Sequence, residues 1–294
     1  MHIFIAKSSG FCFGVKRAIN LATECSKESN EAIYTLGPII HNPQVVKRLE
    51  DSSHIYAKKT VDEIKAGTVI IRSHGVRLEE LNAAREKGLN IVDATCPFVK
   101  KAQELVTLLA REGYAVIIAG EKDHPEVQGL LSYGIGAVKI RVASHPDELK
   151  DMPRKKKIGI VAQTTLHAEK LQDIVCFCLG KAAEIKVFNT ICNATSIRQE
   201  ESALLAKKVD RMIVAGGRNS ANTRRLFEIC RAIQPMTCNI EEAKELDSDW
   251  FEGAESVGIT SGASTPDWII DSVVKRIKEI ESLNKKQGGR ADAV

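Results

Sequence analysis

Three cysteines stand where cysteine can do chemistry. Cys12, Cys96 and Cys192 each close a short β-rich run and open a helical one. Asn90-Ile-Val-Asp-Ala-Thr-Cys96 is matched by Lys186-Val-Phe-Asn-Thr-Ile-Cys192, and helical patterns follow over 97–112 and 193–208. Cys12 follows the strand-like Ile3-Phe-Ile-Ala and precedes a helical pattern over 15–26. A helix N-terminus favours thiolate through its dipole and free N–H groups. Thiolate is the form that binds iron, so three convergent cysteines point to an iron–sulfur cluster. Three ligands are one fewer than a cubane usually takes, which leaves one iron open to a substrate. No Cys-x-x-Cys pair occurs, so a zinc ribbon is not indicated. Of the eight cysteines, Cys25, Cys176, Cys178, Cys230 and Cys238 sit inside apolar patterns and read as core residues.

A second set of side chains keeps step with these cysteines. Each cysteine unit leads to a strand ending in glycine: Gly37, Gly120 and Gly216, at 25, 24 and 24 residues from its cysteine. Four residues beyond stand His41, His124 and Ser220, and two further on Pro43, Glu126 and Asn222. A third strand then ends in a turn carrying His74, Thr164 or Ser264. Imidazole, hydroxyl and amide donors beside helix N-termini suit phosphate or diphosphate oxygens. Ser220, Asn222 and Ser264 are also good helix caps, a role compatible with donating to a ligand. Glu126 is the one carboxylate at these stations. Beside an anion or buried, its pKa would rise, which suits a general acid; Thr164 and Thr165 offer hydroxyls for proton relay. No Walker loop or Gly-x-Gly-x-x-Gly follows a strand, so a nucleotide is not indicated.

The elements that must position these groups form a threefold repeat of strands alternating with helices, which implies parallel sheets. Ligands bind beyond the carboxyl ends of such strands, where all the residues above lie. The first cysteine unit has no third strand before it, and the last third strand has no cysteine unit after it. The N-terminal strand is therefore expected in the C-terminal sheet. The expected fold class is α/β: three pseudo-symmetric lobes, each a small mostly parallel sheet flanked by helices, around a central iron–sulfur cluster. The lobes are expected at 14–95, 96–191, and 192–281 plus 1–13, with a flexible tail at 282–294. Arg154-Lys-Lys-Lys157 reads as a solvated loop.

Composition narrows the setting. Apolar residues make up 44% and charged residues 27% of 294, as in ordinary globular proteins. The net charge of +4 fits an anionic small ligand, and aromatics at 5% are too few for base-stacking platforms, so no nucleic acid is expected. No apolar run approaches the roughly 20 residues of a membrane span, and the N-terminus does not read as a secretory signal. A cytoplasmic location is expected.

Taken in order, Gly10-Phe-Cys-Phe-Gly-Val15, His41-Asn42, Ser73-His-Gly-Val76, Asp93-Ala-Thr-Cys-Pro97, His124-Pro-Glu126, Gln163-Thr-Thr-Leu166, Asn219-Ser-Ala-Asn222 and Gly262-Ala-Ser264 resemble the 4-hydroxy-3-methylbut-2-enyl diphosphate reductase family (LytB/IspH). The resemblance runs from about residue 3 to about 280. It implies one 4Fe–4S cluster on Cys12, Cys96 and Cys192 with one open iron. It implies reductive removal of a hydroxyl from an allylic diphosphate, giving isopentenyl and dimethylallyl diphosphate, the last step of the non-mevalonate isoprenoid route. Glu126 would deliver protons and Thr164 would act at the substrate hydroxyl. His41, His74, His124, Ser220, Asn222 and Ser264 would hold the diphosphate, with Ala221 where family members often have a second serine. The implied partner is a reduced ferredoxin or flavodoxin-type donor.

Two other readings compete. An iron–sulfur redox sensor or electron-transfer protein without its own substrate explains the cysteines, but not the histidines and Glu126 at the same strand ends. A sugar-phosphate or nucleotide-binding module with incidental thiols would be colourless and iron-free.

Overall fold

A computed structural model describes residues 1–29, 31–40, 42–134 and 139–291, with the backbone alone for 284–291. β1 (His2–Ile5) leads into α1 (Phe13–Glu28), followed by β2 (Ile33–Leu36), α2 (Pro43–Ser53), β3 (Ile55–Lys58), β4 (Thr68–Ile71), α3 (Leu78–Glu86) and β5 (Asn90–Asp93). The succession recurs as α4 (Pro97–Arg111), β6 (Ala115–Ala119), α5 (Pro125–Ser132), β7 (Ile140–Ala143), β8 (Lys155–Ala162), α6 (Ala168–Leu179) and β9 (Ala182–Phe188). It recurs again as α7 (Asn193–Ala206), β10 (Arg211–Ala215), α8 (Ala221–Ile233), β11 (Thr237–Ile240), β12 (Ser256–Ser261) and α9 (Asp267–Ala291).

The strands form three four-stranded sheets, ordered β3-β2-β4-β5, β7-β6-β8-β9 and β11-β10-β12-β1, with every pairing parallel. The expected α/β class with three equivalent sheets is the one observed. As expected, β1 pairs with β12, His2 opposite Ser256 through Ile5 opposite Ile259. It takes the edge station that β5 and β9 hold in the other sheets. The chain groups into two compact units. One is Met1–Phe13, His41–Val45 and Asn193–Val294; the other is Gly14–Ile40 and Val46–Cys192. The sheet containing β1 belongs to the first unit and the other two sheets to the second.

Strands covered on both faces must be apolar throughout rather than alternating. β4 and β6 are buried at every residue. In the sheet of β6 and β8, one face packs Ile117, Ile158 and Ile160 with Leu171, Ile174 and Cys178 of α6. The other packs Val116, Ile118 and Val161 with Leu105, Val106 and Leu109 of α4. Burying each such aliphatic side chain contributes roughly 1.5–3 kcal/mol. Gly159 lets α4 close on β8, since a Cβ there would lie 2.6 Å from the Leu109 methyls.

Two stretches differ from expectation. The basic run expected as a loop begins a strand: Lys155 and Lys157 pair in register with Ala182 and Glu184 of β9. Lys157 places its ammonium over the Tyr114 ring, 5.0 Å from its centroid, and 3.8 Å from the Glu184 carboxylate, so its charge is met on the sheet surface. The last helix continues to Ala291, into the stretch expected as a tail. His41 lies outside the described residues, and with it the expectation placed on it.

Candidate active site

The cysteines occupy one station repeated in the three sheets. Each lies between an edge strand and the helix that follows it. Cys96 is the N-cap of α4 with Pro97 at N1, and Cys12 and Cys192 directly precede Phe13 of α1 and Asn193 of α7. Each backbone N–H is tied to the turn after the neighbouring strand: Cys96 to Ser73 O at 2.9 Å, Cys192 to Thr164 O at 2.8 Å and Cys12 to Ala263 O at 3.0 Å. Those same turns carry His74, Thr164 and Ser264. The repeat thus couples each thiol to one group of the polar set through a single peptide.

All three thiols are partly exposed and none forms a disulfide. Gly14 leaves room for one of them, since a Cβ there would sit 2.6 Å from Cys96 Sγ. Arg17 of α1 donates to the carbonyls of Thr95 (3.2 Å) and Asp93 (3.3 Å), pinning the strand end before Cys96. Accessible thiols at helix N-termini fit an anionic iron–sulfur cluster as a donor set. Among the described residues no three His, Cys, Asp or Glu side chains form a site for a single metal ion. A cluster differs because it spreads its ligands over several irons. Cys178, Cys230 and Cys238 are buried, as expected of core thiols, and burial pushes Cys178 to about 11 and Cys230 to about 12. Cys176 is a correction: it is exposed on α6, because the helical period turns it away from the face that buries Cys178.

Glu126 and Thr164 form an enclosed polar contact. Glu126 lies in the first turn of α5 and is 1% exposed. Thr164 donates its N–H to Oε1 at 2.6 Å and its hydroxyl to Oε2 at 2.7 Å. Burial pushes the Glu126 carboxyl up to about 7, partly opposed by the two bonds from Thr164. Near neutral pH the group therefore exchanges a proton. Oε1 accepts an N–H, so when the carboxyl is protonated the proton sits on Oε2 and the Thr164 hydroxyl turns from donor to acceptor of it. The Thr164 carbonyl in turn receives the Cys192 N–H, so acid, hydroxyl and thiol stand on consecutive links.

His124 caps α5. Its Nδ1 accepts the Glu126 N–H at 3.2 Å, which places the proton of a neutral ring on Nε2 as a donor. The His74 ring stands edge-on to it, with centroids 5.8 Å apart, and Nδ1 of His74 is 3.4 Å from Ser73 Oγ. In the other unit, Ser220 caps α8, accepting from Thr223 N at 3.4 Å. Ala221 is the first residue of α8, a position whose N–H has no partner within its helix. Asn222 is 9% exposed, yet among the described residues neither its Oδ1 nor its Nδ2 has a hydrogen-bond partner. A buried amide left without partners is costly, and a polar ligand would satisfy it. Ser264 is buried on the turn after β12. Gly262 lets that turn approach α8, because a Cβ there would strike Thr223 Oγ1.

Two supporting residues went unassigned from sequence. Asn42 caps α2, accepting from Gln44 and Val45 N–H at 3.1 and 3.2 Å, and donates to Ser264 O at 3.0 Å. Its position before Pro43 was the available signal, since Asn followed by Pro at N1 is a helix start. Gln163 is 2% exposed, accepts the Glu121 N–H at 2.9 Å and donates to Thr165 Oγ1 at 2.8 Å. It holds the turn that presents Thr164.

A family model described as LytB protein matches residues 3–278. The chain is 54% identical to the 4-hydroxy-3-methylbut-2-enyl diphosphate reductase of Geobacter metallireducens over 282 residues, covering 96% of this chain and 99% of that relative. It is 54% identical to the enzyme of that name from Pelobacter propionicus over 284 residues, covering 97% and 100%. Among solved structures it is similar to an (E)-4-hydroxy-3-methyl-but-2-enyl diphosphate reductase described as the terminal enzyme of the non-mevalonate pathway. The TM-score is 0.75 at 50% identity, covering 95% of this chain and 100% of that one. It is also similar to the E-1-hydroxy-2-methyl-but-2-enyl-4-diphosphate reductase from Plasmodium falciparum, with TM-score 0.85 at 28% identity, covering 93% and 87%.

Proposed function

The chain belongs to the LytB family of 4-hydroxy-3-methylbut-2-enyl diphosphate reductases, and from that premise we propose how its residues divide the reaction. The reaction, the last step of the non-mevalonate route, is carried out by an iron–sulfur oxidoreductase. Two electrons and two protons enter, the allylic C–O bond breaks, a C–H bond forms and water leaves. Isopentenyl and dimethylallyl diphosphate are the products.

In our reading, Cys12, Cys96 and Cys192 hold one 4Fe–4S cluster and leave one iron without a protein ligand. When bound, the cluster supplies electrons and a Lewis acid for the departing oxygen. Every other role falls to this chain's own side chains. His41, His74, His124, Ser220, Asn222 and Ser264 bind the diphosphate, together with the Ala221 N–H at the start of α8. Losing the family's second serine at Ala221 removes about one hydrogen bond, about 1 kcal/mol. Glu126 holds the proton on Oε2, and Thr164 passes it through its hydroxyl to the leaving oxygen. Of the lobes 14–95, 96–191 and 192–281 plus 1–13, the second opens on Cys96 and the third carries Cys12 and Cys192, while each of the three presents a share of the polar set. The electrons come from a reduced ferredoxin or flavodoxin-type carrier in the cytoplasm. Among the described residues no helix is long and apolar enough to cross a membrane.

The observation that carries this reading is the enclosed Glu126 carboxyl with both oxygens on Thr164. A redox sensor or electron carrier has no use for a buried acid poised near neutrality beside its thiols. Anaerobic reconstitution with iron and sulfide, then assay with a reduced donor and the hydroxylated allylic diphosphate, tests it. Two electrons consumed per diphosphate converted is the expected stoichiometry. A brown protein that leaves the substrate untouched would favour the electron-transfer alternative instead.

A further inference from the structure

Arg198 is 3% exposed, and no carboxylate pairs with it among the described residues. Its guanidinium donates to two carbonyls, Ser261 O at 2.8 Å and Gly10 O at 3.0 Å, and its Nε has no partner among the described residues. A buried cation ordinarily needs an anion close by. On its own helix the nearby carboxylate is Glu201, three residues on. The Glu201 carboxylate is already committed, accepting the N–H of Lys7 at 2.6 Å and of Ser8 at 2.7 Å. The Gly10 carbonyl that Arg198 holds lies two residues before Cys12.

The repeat supplies an independent comparison. Six residues after the cysteine stand Ala18, Ala102 and Arg198; nine after it stand Leu21, Leu105 and Glu201. Ala18 and Ala102 are fully buried, so the station needs no more than a methyl group for packing. Only the third repeat places a charge there. Through Arg198 and Glu201, α7 grips both polarities of the 7–12 backbone, carbonyl and N–H alike. Cys12 is anchored on the same structure by its N–H to Ala263 O.

We propose that Arg198 is a positioning residue for the cysteine centre, fixing the turn that presents Cys12 and placing one buried positive charge against the anionic thiolate-bound cluster. A fixed cation beside a cluster stabilises its reduced, more negative state and so raises its reduction potential. The inference rests on the reading that Cys12 is a cluster ligand.

Three variants of the full chain, reconstituted anaerobically, test it by iron per chain and by midpoint potential from an EPR-monitored redox titration. Arg198→Met keeps the length and removes the charge; Arg198→Lys keeps the charge. Arg198→Ala combined with Glu201→Leu converts the third repeat to the pattern that already packs in the other two, and replaces the Met variant should that one not fold. The expected result is a lower potential and slower turnover in the neutral variant, with Arg198→Lys near the wild-type potential. A neutral variant with full iron at the wild-type potential overturns the proposal, and so does a lysine variant shifted as far as the neutral one. A wild-type chain that binds no iron would instead refute the cluster reading itself.

Discussion

Replacing Glu126 with glutamine should make the protein more stable at pH 8 while removing most of its turnover. In the folded chain the carboxyl is raised from 4.5 to about 7, chiefly by burial. At pH 4 the group is protonated in folded and unfolded chains alike and contributes no difference. As pH rises above 4.5, the unfolded chain releases the proton while the folded chain keeps it, so stability falls until about pH 7 and then levels. At about 1.4 kcal/mol per pH unit, the loss reaches about 3 kcal/mol. Glutamine has no proton to lose. Its oxygen can still accept the Thr164 N–H and its amide can donate to the Thr164 hydroxyl. At about 2 °C per kcal/mol for a chain of this size, the variant should melt up to about 6 °C above wild type at pH 8, and level with it near pH 4.5. Anaerobic thermal melts of cluster-matched samples across that range measure this. In the same samples kcat should fall by about 10²–10⁴-fold while the visible absorbance of the cluster is retained. A melting difference that does not change with pH, or wild-type turnover in the variant, would refute the assignment of Glu126 as a buried acid.

Four further outcomes follow from the same geometry. Thr164→Val removes the hydroxyl donor that holds the Glu126 carboxyl down, so its pKa rises further; the limb of the pH–rate profile that reports Glu126 should move to higher pH as kcat falls. Asn222→Ala removes a buried amide with no partner, so the substrate-free protein should melt no lower than wild type. KM for the diphosphate substrate should rise about 10-fold in steady-state assays, the worth of one or two lost hydrogen bonds. Gly14→Ala forces a methyl against Cys96 Sγ and should lower iron per chain without unfolding the protein, as read by metal analysis and circular dichroism. Ala221→Ser should lower KM by at most about 5-fold, the worth of one added hydrogen bond.

Much of the fold was legible because the repeat carries it. Nearly equal spacings from cysteine to glycine revealed equivalent units, and the unmatched ends of the series placed β1 beside β12. What stayed hidden was set by contacts that no local pattern encodes. Lys155 and Lys157 read as solvated loop because their charge hides the strand pairing with β9, in which the Lys157 ammonium lies over the Tyr114 ring. Cys176 read as core because its neighbours are apolar; the helical period already set it and Cys178 on different faces, and packing decides that Cys178 is the buried one. In the site, side-chain types and stations were legible, but not the closure of Glu126 on both donors of Thr164. Arg198 was missed altogether. In Thr-Ser-Ile-Arg-Gln-Glu-Glu it looks like one more surface charge, and only tertiary packing buries it against the carbonyls of Gly10 and Ser261.

The central claim is that three equivalent cysteines, and no others, hold a catalytic cluster. Iron and sulfide per chain, measured after anaerobic reconstitution of wild type and of single Cys→Ala variants at all eight positions, tests it most directly. The account predicts about four irons per chain in wild type. It predicts a loss of iron together with turnover for Cys12, Cys96 and Cys192, and wild-type iron for Cys25, Cys176, Cys178, Cys230 and Cys238. An iron-free wild type, or a Cys12, Cys96 or Cys192 variant with full iron and full activity, would contradict it.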